Sequence, residues 1–178
     1  LISNLWDIAR GKDTGINLER FVLGALLDAV TEKASLRLME MSGSRYELLR
    51  KRGERADARK TVGLDLEVYD ANTGRARPAA TLSGGETFLA SLSLALGLAD
   101  VVQEYAGGVH LDAMFIDEGF GSLDSESLDL AMKTQQELKG QNRLIGLISH
   151  VGGLEERIPA KLRVTKTQTG STAAFEVG

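Results

Sequence analysis

Two adjacent carboxylates, Asp117 and Glu118, are the pair of residues in this sequence best suited to chemistry. They follow the apolar run Leu111–Ile116, which has the length and composition of a buried strand. Ligands of α/β sheets bind at the carboxyl ends of strands, and successive strand side chains point to opposite faces. One acid can therefore hold Mg²⁺, directly or through water, while the other activates a water for attack on a phosphate. The alternative is two solvated acids at a loop mouth.

A glycine pair upstream could bind the phosphate. The pentapeptide Leu82-Ser83-Gly84-Gly85-Glu86 precedes a predicted helix that starts near Ser83 and ends before Gly107. Ser83 can cap that helix, and the glycines let backbone N–H groups approach an anion at the positive end of the helix dipole. Taken alone, the pentapeptide is explained equally well by a capped helix after a glycine turn.

Two further features lie downstream of the acids. The turn Gly121–Glu126 leads into a predicted helix from about Ser125 to Lys139, and alone it is typical of a helix N-cap with acids in the first turn. Ser149-His150 follows the apolar run Leu144–Ile148, as the acid pair follows its own strand. A lone histidine is more often structural, but here it could meet the acids in one crevice.

The remaining elements must position these residues. A helical pattern runs from a cap at Asn17 or Thr14 to about Met41 and ends at Gly43. Alternation over 61–68 predicts a half-buried strand, and residues 70–74 have turn chemistry. Residues 161–166 and 173–177 are typical of edge strands. Helices alternating with short apolar strands predict an α/β fold with a partly parallel sheet.

Composition excludes several classes of protein. The 178 residues are 43% hydrophobic and 26% charged, which is ordinary for a globular domain and unlike disordered or fibrous chains. The absence of cysteine excludes disulfides and thiolate chemistry and fits a reducing compartment. The most apolar stretch, Thr87–Ala99, is shorter than the ~20 residues of a membrane helix, so no span is predicted. The chain opens with Leu1 rather than Met, which suggests a piece of a longer protein.

The net charge of −4 hides an asymmetry. Residues 1–80 carry 14 basic and 12 acidic residues, whereas residues 81–178 carry 7 and 13. Within 45–60 the seven basic residues outnumber three acids, and Arg50, Lys51 and Arg52 lie at the centre of this run. The run could bind DNA phosphates without sequence preference. A solvated hairpin whose charges pair with their neighbours explains it equally well.

Taken together and in this order, the motifs resemble those of the ATP-binding cassette superfamily. Leu82–Glu86 is similar to its signature motif, Asp117-Glu118 to its Walker B motif, Leu123-Asp124 to its D-loop, and His150 to its switch histidine. The finer detail resembles the SbcC family of SMC-like ATPases, which serve a DNA-repair nuclease. That detail comprises the runs 82–92, 119–126, 148–151 and 156–159, with 21–28 and 45–48 in front of them.

The resemblance implies the C-terminal lobe of an ABC-type ATPase head, with a mixed sheet flanked by helices. Residues 1–43 would be helices at the end of a coiled-coil arm entering the head, and residues 44–178 the lobe itself. A complete ATPase also needs a P-loop, and the string Gly11–Thr14 lacks its first glycine and its Ser or Thr. The N-terminal P-loop lobe of the same protein is therefore an expected partner.

The resemblance also implies residue roles. Ser83, Gly84, Gly85 and Glu86 would contact, in trans, the ATP held by a second head. Asp117 would position Mg²⁺, Glu118 would be the general base, and His150 would sense the γ-phosphate. Leu123 and Asp124 would lie across the interface between the heads.

Further implied partners are an SbcD-type nuclease subunit and double-stranded DNA, in the cytoplasm beside the nucleoid and with no membrane. A head lobe of an SMC-type DNA clamp, which has no nuclease partner, is the competing function. The run Gly119-Phe120-Gly121 favours the nuclease branch.

Overall fold

The computed structural model describes residues 6–7, 9–12, 17–51, 64–107, 112–139, 144–149, 154, 157–168 and 170–177. Predictions that concern Thr14, Arg52, Val62 and His150 lie outside these residues. The helices whose bounds lie within the described residues are α1 (Leu18–Met41), α2 (Gly84–Tyr105) and α3 (Ser125–Lys139). The strands are β1 (Tyr46–Arg50), β2 (Leu66–Asp70), β3 (Arg75–Pro78), β4 (Ala113–Asp117), β5 (Leu144–Ile148), β6 (Ala160–Thr167) and β7 (Gly170–Val177). Single 3₁₀ turns cover Ala79–Thr81 and Phe120–Ser122.

The first helix confirms its prediction at both ends. Asn17 is the N-cap, and its side chain accepts a hydrogen bond of 2.8 Å from the backbone N–H of Arg20. Ser42 is the C-cap, and Gly43 follows with a φ of +58°. The Ser35 hydroxyl, on the buried side of α1, accepts from the backbone N–H of Leu48 at 3.0 Å, which fixes β1 against the helix.

Strands β1, β2 and β3 form an antiparallel meander in the order β1-β2-β3. Tyr46 pairs with Asp70 at one end of β1–β2, and Arg50 pairs with Leu66 at the other. The predicted turn at 70–74 separates β2 from β3. The alternation over 61–68 predicts a strand that starts too early. Within the described residues β2 begins at Leu66, and Leu64 lies ahead of the strand.

Helix α2 begins at the glycine pair and packs closely along α1. A Cβ on Gly97 would lie 2.7 Å from the carbonyl oxygen of Val30 and 2.9 Å from the nitrogen of Ala34, so only glycine permits this approach. The sequence of this helix is apolar nearly all round, which predicts that it is buried; that prediction is wrong, since Leu98, Val102 and Tyr105 are exposed. The buried residues of α2 are those that face α1, such as Gly97, and the larger core, such as Leu92 and Leu96.

By length and composition alone, α2 could cross a membrane, because its 22 residues extend beyond both ends of the most apolar stretch. Part of this helix packs in the core. The Ser93 side chain is fully buried and donates to the carbonyl of Leu89 at 2.8 Å.

The apolar runs 111–116 and 144–148 form the parallel pair β4–β5, in register from Ala113–Leu144 to Asp117–Ile148. The two C-terminal strands pair with each other as an antiparallel hairpin. The α/β class and the parallel pairing are confirmed. In the described residues the strands form three small sheets rather than one mixed sheet.

The buried core has two parts. The larger part joins α1, the meander, α2 and α3 through side chains such as Leu38, Leu48 and Leu96. The smaller part surrounds Phe120, which is 1% exposed. Phe88, Ile116 and Leu123 pack against both parts. These three side chains join the region after β4 to the start of α2.

Candidate functional site

The backbone after β4 turns sharply at the two acids. Asp117 is the last residue of β4, and Glu118 follows with a φ of +59°, the left-handed region that costs a non-glycine residue ~1–2 kcal/mol. The Glu118 N–H donates to the carbonyl of Ile148 at 2.9 Å, which extends the β4–β5 ladder by one bond. Such strain persists only where the surroundings enforce it, and it concentrates at functional sites.

Gly119 continues the turn with a φ of +93°, a conformation that favours glycine. A Cβ at this position would overlap the ring of Phe88, which comes from the second turn of α2. The Phe88 ring also contacts Phe120 edge-to-face, with centroids 4.8 Å apart and planes at 68°. The turn that carries Glu118 is thus packed directly on α2.

The start of α2 is a reciprocal capping box. The Ser83 hydroxyl accepts from the backbone N–H of Glu86 at 3.4 Å, and the Ser83 N–H donates to the Glu86 carboxylate at 2.9 Å. Because the Ser83 oxygen accepts in this box, its own O–H proton is left to donate elsewhere.

The two glycines of the predicted signature motif have different surroundings. A Cβ on Gly84 would meet no atom within 4 Å, so this position is open. A Cβ on Gly85 would lie 2.8 Å from the carbonyl oxygen of Ser122 and 3.5 Å from a methyl group of Leu123. Gly85 therefore packs against the segment that leads into the predicted D-loop.

Glu86 is held by a network that the sequence does not reveal. The Tyr46 hydroxyl, on β1, donates to one carboxylate oxygen, and Arg77, on β3, donates to the other at 3.3 Å. The Arg45 guanidinium stacks on the Tyr46 ring, 4.6 Å from its centroid, and lies 4.0 Å from Glu86. Arg77 is anchored in turn by the Thr81 carbonyl at 2.6 Å. The meander thereby positions the residue that completes the capping box.

The network changes the ionisation of both central groups. Burial raises the pKa of Tyr46 to about 12, and the hydrogen bond to Glu86 acts in the same direction. Burial opposes ionisation of Glu86, but the hydrogen bonds from Tyr46, Ser83 and Arg77 outweigh it and hold its pKa at about 2. At neutral pH the pair is therefore a phenol that donates to a carboxylate.

We expect Glu86→Gln to remove part of the acid sensitivity of the fold. The folded-state pKa of Glu86 lies below its ordinary value of 4.5, so the stability it contributes is present above that value and is lost as pH falls toward about 2. Gln does not titrate, so the difference in unfolding free energy between wild type and variant should shrink as pH falls from neutral to about 3. Urea unfolding of the full protein measures it.

The control for this measurement is Glu47→Gln, which removes an exposed carboxylate from the same strand as Tyr46. An identical acid dependence in wild type and Glu86→Gln would contradict the network.

The predicted D-loop residue Asp124 caps α3. Its carboxylate accepts from the backbone N–H of Ser127 at 2.8 Å and from the Ser127 hydroxyl at 3.2 Å, and these bonds lower its pKa. Asp124 is exposed, whereas the neighbouring Leu123 is partly buried between the two parts of the core. The side chain of Asp124 therefore lies on the surface at the end of a firmly anchored turn.

Asp117 alone does not make a metal site. Among the described residues, no group of three or more His, Asp or Glu side chains could hold a metal ion. Mg²⁺ bound together with a nucleotide usually takes one or two carboxylates beside phosphates and waters, so it does not need such a group. The protein contribution from this chain would be Asp117.

Two of the three predicted DNA-contacting residues are paired within the protein. Arg50 makes a two-pronged ion pair with Asp28 of α1, both contacts being 2.6 Å. Lys51 lies 3.4 Å from Glu67 across the meander. These contacts match the interpretation in which the basic run pairs with its neighbours, and a DNA contact by Arg50, Lys51 and Arg52 stays a prediction.

The structure thus brings the predicted signature motif, D-loop and Walker B turn together at one end of α2. His150 lies outside the described residues. Sequence reasoning missed Tyr46, Arg77 and Phe88. Tyr46 and Phe88 follow ordinary apolar periodicity, and Arg77 is one arginine among many, so only the long-range contacts identify them.

This arrangement has the fold of the head domains of SMC ATPases. The fold is similar to the Smc head domain of Pyrococcus furiosus bound to the C-terminal domain of ScpA, with a TM-score of 0.65 and 15% identity. That comparison covers 99% of this chain and 40% of the other. A structure from work on ATP-driven dimerization of SMC ATPases gives the same TM-score at 14% identity and 88% coverage of both chains.

Residues 54–137 match the SbcC/RAD50-like Walker B family. The SbcC subunit of the nuclease SbcCD from Vibrio cholerae is 57% identical over 97% of this chain. Its counterpart in Staphylococcus aureus strain JH9 is 44% identical over 98%. The chain belongs to the SbcC/RAD50-like family. It spans 17% of the length of each of these relatives.

Proposed function

We propose that this chain is the C-terminal half of an ATP-hydrolysing head that dimerises around ATP and regulates a nuclease for DNA double-strand-break repair. The observation that carries the proposal is the packing of Gly85 on Ser122. This contact joins the capped start of α2 to the turn that lies between Glu118 and Asp124. The similarity to the SbcC subunit of the nuclease SbcCD supports the nuclease as the regulated partner.

In the proposed site, Ser83, Gly84 and Gly85 contact the γ-phosphate of an ATP bound by the second head, with Glu86 completing the cap. The Ser83 O–H, the exposed Gly84 and the positive end of the α2 dipole suit a phosphate group. Leu123 and Asp124 lie across the dimer interface.

At the other end of the same segment, Glu118 is the general base for the ATP held by its own head, and His150 senses the γ-phosphate. Asp117 holds Mg²⁺, directly or through water, and that ion neutralises phosphate charge when bound. The strained, enforced backbone at Glu118 supports a role in which the direction of the carboxylate matters.

The proposal requires partners that supply what these residues lack. They are a P-loop lobe of the same protein, a second identical head, an SbcD-type nuclease subunit and double-stranded DNA, in the cytoplasm beside the nucleoid. Within the chain, residues 1–43 form the end of the arm and residues 44–178 the lobe.

Complementation tests the function. We expect Mg²⁺-dependent ATP hydrolysis when this chain is combined with a P-loop lobe, and almost none with either part alone, because the site is composite. Equal activity of one part alone would overturn the proposal. Copurification of a metallophosphatase-type subunit with the full protein separates the nuclease function from that of an SMC-type clamp.

A further inference from the structure

The segment between Asp117 and Asp124 is short, internally bonded and packed against α2. Glu118 and Gly119 are two consecutive left-handed residues, and a single 3₁₀ turn follows at once. The turn closes on itself, since the Ser122 hydroxyl donates to the Gly119 carbonyl at 2.6 Å. A short, strained and internally bonded segment of this kind moves as a unit.

This segment contacts α2 at two points. Near its end, the Ser122 carbonyl lies against Gly85 with no space for a methyl group. Near its start, the ring of Phe88 covers Gly119 so closely that a Cβ would overlap it, and the same ring packs edge-to-face on Phe120. Gly85 and Phe88 are three residues apart, so the two contacts lie on one face of the first turns of α2.

The Phe120 ring provides the fixed support for this contact. It is 1% exposed and is surrounded by Leu128 and Met132 of α3 and by Leu154. Close-packed interiors transmit displacements rather than absorb them. A shift of Gly119 must therefore move Phe88 or open a gap beside Phe120.

We propose that Phe88 is a positioning residue that couples the two ATP sites of a head dimer through the contact with Gly119. The inference rests on the proposed function, in which Glu118 serves the ATP of its own head and the glycine turn serves the ATP of the partner head. Phe88 touches neither nucleotide. It links the backbone of the base to the helix that presents the signature motif, so a change at one site alters the other.

The test uses the full protein with Phe88→Leu, which keeps an apolar side chain but removes the flat ring from Gly119. We expect kcat for ATP to fall about tenfold, the Hill coefficient to fall from well above 1 to about 1, and KM to change less than about twofold. The control is Leu96→Val, a conservative change at a fully buried position of the same helix that faces the main core. It should leave all three quantities unchanged.

A mixed dimer separates the effect of Phe88 on the base from its effect on the signature motif. One copy carries Glu118→Gln, which inactivates the site that its own Glu118 would serve. The remaining active site combines Glu118 of the other copy with the signature motif of the Gln copy. Phe88→Leu is then placed in either copy. Coupling predicts that both placements lower turnover, each by about threefold or more, whereas a role at the base alone or at the signature motif alone predicts an effect from one placement only.

Four results would each overturn the coupling. They are an unchanged Hill coefficient in Phe88→Leu, a non-cooperative wild type, an effect from one placement only, and the same loss of activity in Leu96→Val. Should Phe88→Leu fail to fold, Phe88→Met, whose flexible side chain can fill an irregular gap, takes its place with the same expectation. Glu118→Gln in both copies separates the two failures. Normal ATP hydrolysis by this doubly substituted dimer would refute the proposed function. An inactive doubly substituted dimer, together with a Phe88→Leu protein that stays cooperative, would refute only the coupling.

Discussion

Replacing Glu118 by Gln should leave ATP binding intact and lower ATP hydrolysis by about 10²–10³-fold in the full protein. Gln has the same shape and can adopt the same left-handed backbone, so the turn on Gly119 and Phe88 should be preserved. What is lost is the basic oxygen that accepts a proton from the attacking water. ATP-bound head dimers should therefore accumulate, and size-exclusion chromatography with ATP and Mg²⁺ would detect them beside the loss of phosphate release.

The matched control for this experiment is Asp112→Asn at the opposite end of β4. Asp112 is exposed, and the contact that joins it to β5 is made by its backbone carbonyl, which accepts from Leu144 at 2.8 Å. The variant removes one carboxylate beside the same strand without altering the turn, so hydrolysis should stay at the wild-type rate. Normal turnover in Glu118→Gln would contradict the assignment of Glu118 as the base.

The elements of this fold follow closely from local sequence signals. The caps at Asn17 and Ser83, the glycine stop after Met41 and the apolar runs of β4 and β5 place these boundaries within a residue or two. These signals act over one or two helical turns or a single strand, so a sequence displays them directly. The extent to which α2 is covered could not be predicted, because it depends on which elements pack against that helix.

The site is predictable as a set of motifs but not as a set of contacts. The order of the motifs led to the family that the comparisons show. The network of Tyr46, Arg77 and Glu86 joins residues 40 and 9 positions apart, and neither spacing is a pattern of one helix or strand. Arg50 shows what charge alone leaves open: its guanidinium is bound to Asp28, a contact that the sequence does not reveal, and its contact with DNA stays a prediction. Burial and pairing decide such cases, and both arise only when the chain folds.

Gly84→Ala and Gly85→Ala should damage the protein in two different ways, although the glycines are adjacent. Ala at 84 meets no neighbouring atom and lies in the first turn of α2, so the unfolding free energy should stay within ~1 kcal/mol of wild type. Ala at 85 collides with the Ser122 carbonyl, which belongs to a rigid turn, and should destabilise the head by ~1–3 kcal/mol. Urea unfolding of the two full-length variants measures this difference.

The same pair of variants tests whether the glycine turn contacts phosphate. If the open space above Gly84 receives the partner's ATP, a methyl group there blocks the approach of the anion to the backbone N–H groups. In the Glu118→Gln background, where dimers accumulate, Gly84→Ala should then weaken ATP-dependent dimerisation about tenfold or more while the fold stays stable. A stable Gly84→Ala protein that dimerises as well as its parent would show that the open position faces solvent. Loss of stability in this variant would instead show that Gly84 is needed for packing. That result would contradict the open space beside Gly84 in the structure.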